Sequence, residues 1–143
     1  MAKTRVPVVE GLFREAEDGS ARLLGGRCPR CGASFFPKQW SFCRNPACAG
    51  TELEDVELST RGSLWSFTDN RYAPPPPYRA PDPFEPYGVA AVELADERMI
   101  VLGQLATGVD VGALAAGQEM ELVVEPLYET ADEIRTVWKW RCA

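Results

Sequence analysis

Four of the five cysteines lie in two close pairs, and this spacing carries the strongest chemical signal in the sequence. Two residues separate Cys28 from Cys31, and four residues separate Cys43 from Cys48. Two cysteines on each of two turns can present four thiolates to one metal ion in the tetrahedral arrangement of a zinc ribbon. The sequence therefore predicts a metal site whose ligands are Cys28, Cys31, Cys43 and Cys48.

A structural zinc ion is the favoured occupant, because four thiolates leave no open coordination position for a water molecule or a substrate. Iron in a rubredoxin-like site would use the same sulfurs and could transfer electrons, but the second pair is more widely spaced than in a symmetric rubredoxin site. Disulfides fit poorly, since nothing in the chain indicates secretion. The fifth cysteine, Cys142, is interpreted as a spare thiol.

The composition is that of an ordinary globular protein, with 45% apolar and 25% charged residues in 143. This length suffices for one domain, or for a small metal-held module followed by a domain of about a hundred residues. The sequence contains no apolar run long enough to cross a bilayer and no signal peptide, so we expect a cytoplasmic protein without membrane contact.

The charge balance limits the possible partners and reactions. The net charge is −6 and the pI near 4.7, whereas a nucleic-acid surface needs excess cations. Arg27, Arg30, Lys38 and Arg44 cluster around the cysteines, where we expect them to offset the thiolate charge. The sequence contains no histidine, which excludes serine or cysteine triads built on imidazole within this chain.

The elements around the cysteines are predicted from apolar spacing. Residues 9–19 are predicted to form a helix with Val9, Leu12, Phe13 and Ala16 on one face and Gly19 as the C-cap. A strand over residues 21–27 leads into the first cysteine pair, and residues 52–58 form a strand that leaves the second. Aromatic cover for the ribbon is expected from Phe35, Phe36 and Trp40, with Pro37.

The remainder of the chain alternates apolar and polar residues in five runs, which is typical of strands. Residues 95–98 have hairpin-turn length between the second and third runs, and residues 110–117 indicate a helical turn after the third. Five strands with such a connection have the order of an OB-fold barrel. The fold class predicted is mainly β, with strands over residues 61–72, 87–94, 99–105, 119–126 and 134–141.

Prolines interrupt the segment between the first two barrel strands, residues 72–87, which is predicted to be an extended loop. One interpretation is a surface connector. In the other, its aromatic side chains lie beside Arg71 and Arg79, so that the loop docks into a partner groove or contacts a CoA-type phosphate. Arg71 and Arg79 are thus candidate acyl-CoA-binding residues.

Several motifs together resemble those of the acyl-CoA-associated family known as domain of unknown function thirty-five. The resemblance covers the chain from about residue 12 onward. Members of this family combine an N-terminal helix, a rubredoxin-like zinc ribbon and an OB-fold. The motifs are RCPRCG at residues 27–32, Pro37, RGSLWSFT at 61–68, PYGVAAVEL at 86–94 and EMELVV at 119–124. The corresponding division is 1–24 for the helix and lead-in, 25–58 for the ribbon and 59–143 for the OB-fold.

The resemblance implies a non-catalytic accessory subunit of a thiolase or thiolase-like aldolase or lyase. Such complexes act on β-ketoacyl- or β-hydroxyacyl-CoA compounds, including steroid side-chain and aromatic-degradation intermediates, with the catalytic cysteine and histidines in the partner. The chain departs from the family pattern in its four-residue second cysteine spacing and in Trp138 and Trp140 near its end. These tryptophans are interpreted as core residues or as partner contacts.

Two other functions are compatible with single features of the sequence. Ribbons and OB-folds also bind nucleic acid, with Trp65, Phe67 or Trp138 as stacking platforms, although the acidic balance argues against it. An iron redox protein would use the same four cysteines.

Overall fold

The computed structural model describes residues 3–16, 18, 20–37, 43, 45, 47–48, 50–71 and 85–143. Within these ranges no helix has the length and apolar character needed to cross a bilayer. The described chain forms ten strands: β1 Thr4–Pro7, β2 Phe13–Glu15, β3 Ala21–Arg27, β4 Ser34–Phe35, β5 Glu54–Glu57, β6 Arg61–Asn70, β7 Tyr87–Leu94, β8 Ile100–Leu105, β9 Glu119–Glu129 and β10 Glu133–Cys142.

Strands β6 to β10 close into the five-stranded barrel that the sequence predicts. β7 pairs with β6 and β8, β9 pairs with β6 and β10, and a short parallel pairing of β8 with β10 completes the circle. The connection after β8 is the 3₁₀ turn Val111–Ala113, where the Asp110 side chain accepts a hydrogen bond from the N–H of Gly112. The predicted hairpin turn between β7 and β8 is confirmed.

The ribbon is built around β3. β2 pairs antiparallel with the first half of β3, and β4 and β5 pair antiparallel with its second half. The packing here requires a glycine, since a Cβ atom on Gly25 would lie 2.6 Å from the carbonyl oxygen of Phe35 and 3.0 Å from the Leu58 side chain. Backbone and side chain therefore approach closely behind the cysteine turns.

The predicted helix over residues 9–19 is wrong, because the described part of this segment contains the strand β2 instead. Phe13 pairs with Leu23 of β3, and Gly11 before it has a φ of 87°, which a right-handed helix does not allow. Phe13 is 2% exposed but Val9 is 51% exposed, so these residues do not share a buried face. Pairing with β3 outweighs the apolar spacing of so short a segment. The predicted C-cap, Gly19, lies outside the described residues.

A second strand of the N-terminal segment, β1, joins the barrel. It runs parallel to β10, with Thr4 opposite Glu133 and Pro7 opposite Thr136. The buried hydroxyl of Thr136 donates to the carbonyl oxygen of Val6. The sequence prediction assigned no element here, because a four-residue edge strand has too few residues to show alternation.

Ribbon and barrel share one core. Phe13, Ala21, Leu23 and Leu58 belong to the same buried cluster as the inward-facing residues of the barrel. That cluster continues through Leu64, Ala90, Val92, Leu94, Val101, Leu105, Met120, Leu122 and Trp140.

Trp138 is the main aromatic link between the two parts. Its ring meets Phe13 edge to face at 5.8 Å between centroids and Phe36 at 5.6 Å. Its indole Nε1 donates to the carbonyl oxygen of Leu102 on β8 over 2.9 Å. The hydrogen bond fixes the ring on the barrel while its edges contact the ribbon, which assigns Trp138 a packing role within the chain.

Candidate metal centre

The four paired cysteines converge on one point at the end of the ribbon. Cys28 and Cys31 follow β3, and Cys43 and Cys48 precede β5, so the strand pairing brings the two turns together. Their sulfur atoms all lie within 4.8 Å of one another, with 3.8 Å between Cys28 and Cys48 and 3.6 Å between Cys31 and Cys43. Four sulfurs around a zinc ion at about 2.3 Å would be separated by about 3.8 Å. The cluster therefore has the size of a tetrathiolate metal site, and these distances are too long for disulfide bonds.

The first cysteine turn depends on Gly32. The N–H of Gly32 donates to the carbonyl oxygen of Cys28 over 2.8 Å, and the N–H of Cys28 donates to that of Ala33 over 2.9 Å. Gly32 has a φ of 78°, in the left-handed region that favours glycine. This agrees with the sequence pattern, in which glycine directly follows the pair.

The second turn is held by Asn45. Its side-chain oxygen accepts from the N–H of Ala47 over 3.0 Å, and its carbonyl oxygen accepts from the N–H of Cys48 over 2.9 Å. This local turn accounts for the wider spacing of the second pair, since it accommodates the additional residues. Asn45 was not predicted to have this role, although asparagine inside a cysteine turn is a recognisable turn signal.

Backbone N–H groups point at the sulfurs. Asn45 donates to Cys43 and Gly50 donates to Cys48, each over 3.4 Å, and the N–H of Ala33 donates to Cys31. In each case the donor lies two residues after the sulfur. Such bonds orient the sulfur and stabilise its thiolate form, as outer-shell partners of metal ligands do.

Gly50 brings the backbone close to the cluster. A Cβ atom at this position would lie 3.0 Å from the sulfur of Cys28 and 3.4 Å from that of Cys48. Cys28 is completely buried, so its sulfur has little room to move away. The sequence alone did not single out Gly50.

The thiols perturb one another strongly. The hydrogen bond from the Ala33 N–H, helped by Asn45 and the neighbouring sulfur of Cys43, lowers the pKa of Cys31 to about 6 despite desolvation. The Asn45 N–H lowers the pKa of Cys43, but burial and the neighbouring sulfurs outweigh it and raise this pKa to about 12. Because the four sulfurs lie close together, one ionised thiolate opposes ionisation of its neighbours. A bound divalent cation would allow all four to ionise.

Cys142 lies apart from this centre. It is on β10, where its sulfur accepts a hydrogen bond of 3.2 Å from the side-chain amide of Gln118. Within the part of the chain that the structure describes, Cys28, Cys31, Cys43 and Cys48 form the cluster of side chains that could hold a metal ion.

Of the two predicted acyl-CoA-binding residues, the structure describes Arg71 but not Arg79. Arg71 is exposed, and its guanidinium forms an ion pair of 2.7 Å with Asp69. Arg79, and residues 72–84 of the proline segment, lie outside the described residues, as do Lys38, Trp40 and Arg44.

A ribbon with four convergent thiols ahead of a closed five-stranded barrel defines the class of zinc-ribbon and OB-fold proteins. Within this class, residues 19–54 match the family described as ChsH2, rubredoxin-like zinc ribbon domain. Residues 55–125 match the family described as ChsH2, C-terminal OB-fold domain. The chain belongs to this ChsH2 family, also known as domain of unknown function thirty-five, as its motifs indicated.

Named relatives cover different shares of the chain. A DUF35 domain-containing scaffold protein of Methanocaldococcus jannaschii is 31% identical over 117 residues, which are 78% of this chain and 73% of the relative. The benzoylsuccinyl-CoA thiolase subunit BbsA of Thauera aromatica is 50% identical over 60 residues, which are 41% of this chain and 40% of that protein. The solved structure of an Ltp2-ChsH2(DUF35) aldolase matches with a TM-score of 0.61 and 25% identity, covering 85% of this chain and 84% of that one.

Proposed function

We propose that this chain is a non-catalytic accessory subunit of a thiolase-like enzyme that acts on a β-ketoacyl- or β-hydroxyacyl-CoA. The observation that carries the proposal is the likeness, across ribbon and barrel together, to proteins named as a scaffold and as part of an aldolase. A third relative is named as a thiolase subunit. The subunit would stabilise its partner in the cytoplasm and help to shape its acyl-CoA site.

The side chains of the chain support a non-catalytic role. Carbon–carbon bond cleavage in a thiolase-like enzyme needs an activated nucleophile and a base. The sequence has no histidine, and four of its five cysteines converge on one closed cluster. The catalytic groups would therefore come from the partner.

Zinc is the metal proposed for the cluster, with Cys28, Cys31, Cys43 and Cys48 as its ligands. A tetrathiolate site holds zinc without an open position, so the ion would supply folding energy and no reaction chemistry. Iron would fit the same sulfurs, and the absorption spectrum separates the two metals, because ferric tetrathiolate absorbs visible light. The proposed division of the chain is a lead-in over residues 1–24, a ribbon over 25–58 and an OB-fold over 59–143.

Arg71 and Arg79 are proposed as acyl-CoA contacts within the complex. Arg71 is exposed at the end of β6, where the proline segment begins, and its partner Asp69 leaves it accessible to an anion. Replacing both arginines by alanine should raise the KM for acyl-CoA in the reconstituted complex and leave kcat unchanged. Unchanged Michaelis constants would remove this role and leave the scaffold role intact.

The charge distribution argues against a nucleic-acid function. Among the described residues of the barrel, every arginine and lysine forms an ion pair with a carboxylate, so these cations are offset locally and do not form the excess of positive charge that a nucleic-acid surface needs. These residues are Arg61, Arg71, Arg98, Arg135, Lys139 and Arg141. Of the predicted stacking aromatics, Phe67 and Trp138 pack against the core and Trp65 is exposed.

The direct test is purification of the tagged chain from its source cells, followed by size exclusion, mass spectrometry and metal analysis. We expect a thiolase-like enzyme to elute with the chain, and about one zinc ion per chain. A lone monomer, or a chain retained on single-stranded DNA in a salt-sensitive way, would contradict the proposal.

A further inference from the structure

One side of the barrel carries exposed apolar side chains where strands β6, β7 and β8 lie next to one another. Among the described residues, Trp65 is 62% exposed, Leu102 61% and Ile100 40%. The fourth exposed large hydrophobic residue of the described ranges is Val9, in the N-terminal segment outside these strands. The apolar face is defined here as the outward surface formed by Trp65, Ala91, Ile100 and Leu102.

The strand register places these residues together. Ala91 of β7 is opposite Ser66 of β6 on one side and Leu102 of β8 on the other. A bulge between Leu64 and Ser66 turns both Trp65 and Ser66 outward, while Leu64 remains in the core. Trp65 and Leu102 are thus separated by the width of β7, roughly 10 Å at the usual strand spacing.

Ala91 forms the floor between the two large side chains. It points away from the core, since its neighbours Ala90 and Val92 are fully buried in it, yet it is almost inaccessible itself. This small, nearly covered residue and the flanking Trp65 and Leu102 form one continuous apolar patch. Exposed aromatic and aliphatic side chains at the centre of such a patch are typical anchors of an interface hot spot.

The apolar face is also poor in charge, although a quarter of the whole sequence is charged. Its neighbours on the same side of the three strands are Ser63, Ser66, Thr68, Val89, Glu93 and Gln104. Glu93, at one end, is paired with Arg98 over 3.3 Å. An aromatic and aliphatic centre with a polar border and few charges is the composition of a protein–protein interface. Phosphate-rich or anionic surfaces would require cations instead.

We propose that the apolar face is the docking site for the catalytic thiolase-like subunit, which contributes an uncharged surface with a large apolar side chain. The inference rests on the function proposed above, because the relatives that extend over both modules are named as a scaffold and as part of an aldolase. Together with its polar border, the apolar face extends over three strands and five residue rows, which cover roughly 250 Å². A stable interface buries about 800 Å² per partner, so the apolar face forms its centre.

The test uses the full chain and the purified thiolase-like enzyme of the same organism. Trp65→Thr and Leu102→Thr, singly and together, remove apolar area from exposed strand positions where threonine is well tolerated. Val9→Thr is the matched control, because it removes a similarly exposed apolar side chain from outside the apolar face. Affinity is measured by calorimetry, and circular dichroism with zinc content verifies folding.

We expect the single variants to bind about 30-fold more weakly than the original chain, the double variant not to bind measurably, and Val9→Thr to bind as the original does. Full binding by a correctly folded double variant would overturn the docking site while leaving the proposed function intact. Failure of the unmodified chain to bind would instead overturn the proposed function. If the unmodified chain dimerises and the double variant is monomeric but still binds the enzyme, the apolar face joins two copies and the docking proposal is wrong.

Discussion

Cys31 and Cys142 are both accessible thiols, but they have different neighbours. Cys31 lies 3.6 Å from the sulfur of Cys43 in the four-sulfur cluster, whereas Cys142 contacts the amide of Gln118 on the barrel. Replacing Cys31 by serine should reduce bound zinc from about one ion per chain to almost none, because three thiolates no longer close the site. Elemental analysis after gel filtration measures the change.

Cys142→Ser is the control for this prediction and should keep its metal. Stoichiometric zinc in the Cys31→Ser protein would show that the metal is bound elsewhere. Loss of zinc from both variants would point to a general folding defect.

Gly62 lies where β6 is paired with both β7 and β9. A Cβ atom there would lie 2.1 Å from the carbonyl oxygen of Glu93, an overlap with backbone that side-chain motion cannot relieve. Gly62→Ala should therefore lower the free energy of unfolding by about 3 kcal/mol. Urea unfolding followed by tryptophan fluorescence measures it. Gly112→Ala, whose Cβ atom would be 3.4 Å from Asp110, should change stability by less than about 0.5 kcal/mol.

The spacing of the cysteines predicted which four residues converge, because the chemistry of a tetrathiolate site restricts how its ligands are spaced. The roles of Asn45 and Gly50 could not be predicted in the same way. Their function is to place N–H groups and backbone beside sulfurs, which depends on turn geometry. Asparagine and glycine are common in turns of every kind, so their presence alone is not specific.

At the scale of elements, Glu125 of β9 connects β10 with the loop after β8. Its carboxylate accepts from the N–H of Thr107 over 3.0 Å and from the Thr107 hydroxyl over 2.9 Å, and it pairs with Lys139 over 3.2 Å. Burial would raise the pKa of Glu125, but these hydrogen bonds and the lysine charge outweigh it and lower the pKa below its ordinary value.

This shift makes a prediction about pH. Because the folded protein lowers the pKa of Glu125, its contribution to stability is complete above the ordinary carboxyl pKa and is lost as the pH falls through the folded value. Glu125→Gln should cost about 1 kcal/mol at pH 7, and this cost should be smaller at pH 3. Urea unfolding across this range, with Glu52→Gln as an exposed control, measures the difference. An equal cost at both pH values would contradict this account.

Strands with a solvated and a buried face were predictable, and β3 and β7 have the predicted bounds. Their alternating residues lie on opposite faces of a sheet, so the pattern is local. β1 and β2 were not predictable, because their partners are β10 and β3 and the reason for their extended form lies outside their own residues. The exposure of Trp65 could not be predicted either, because the bulge beside it changes the alternation of buried and exposed positions along β6.

At the scale of the whole molecule, the shared core joins the candidate metal site to the barrel. Phe13 and Leu23 of the ribbon are buried in one cluster with Leu64 and Trp140 of the barrel. Removal of zinc should therefore destabilise the entire chain, with one unfolding transition shifted down by about 10 °C or more. Scanning calorimetry before and after chelation measures the shift.

The metal-free Cys31→Ser protein is the control, and chelator should not change its transition. A barrel transition that stays at its original temperature while the ribbon melts separately would show that the two parts are independent in stability.

The pairing of β1 with β10 also has a consequence for the time at which the molecule is completed. The hydrogen bond between Thr136 and Val6 joins residues that are 130 positions apart. At about 5–20 residues per second, a ribosome makes the second partner roughly 6–26 seconds after the first. Throughout that interval β1 exists without the strand it pairs with. Its attachment belongs to the last stage of assembly, after most of the barrel has been synthesised.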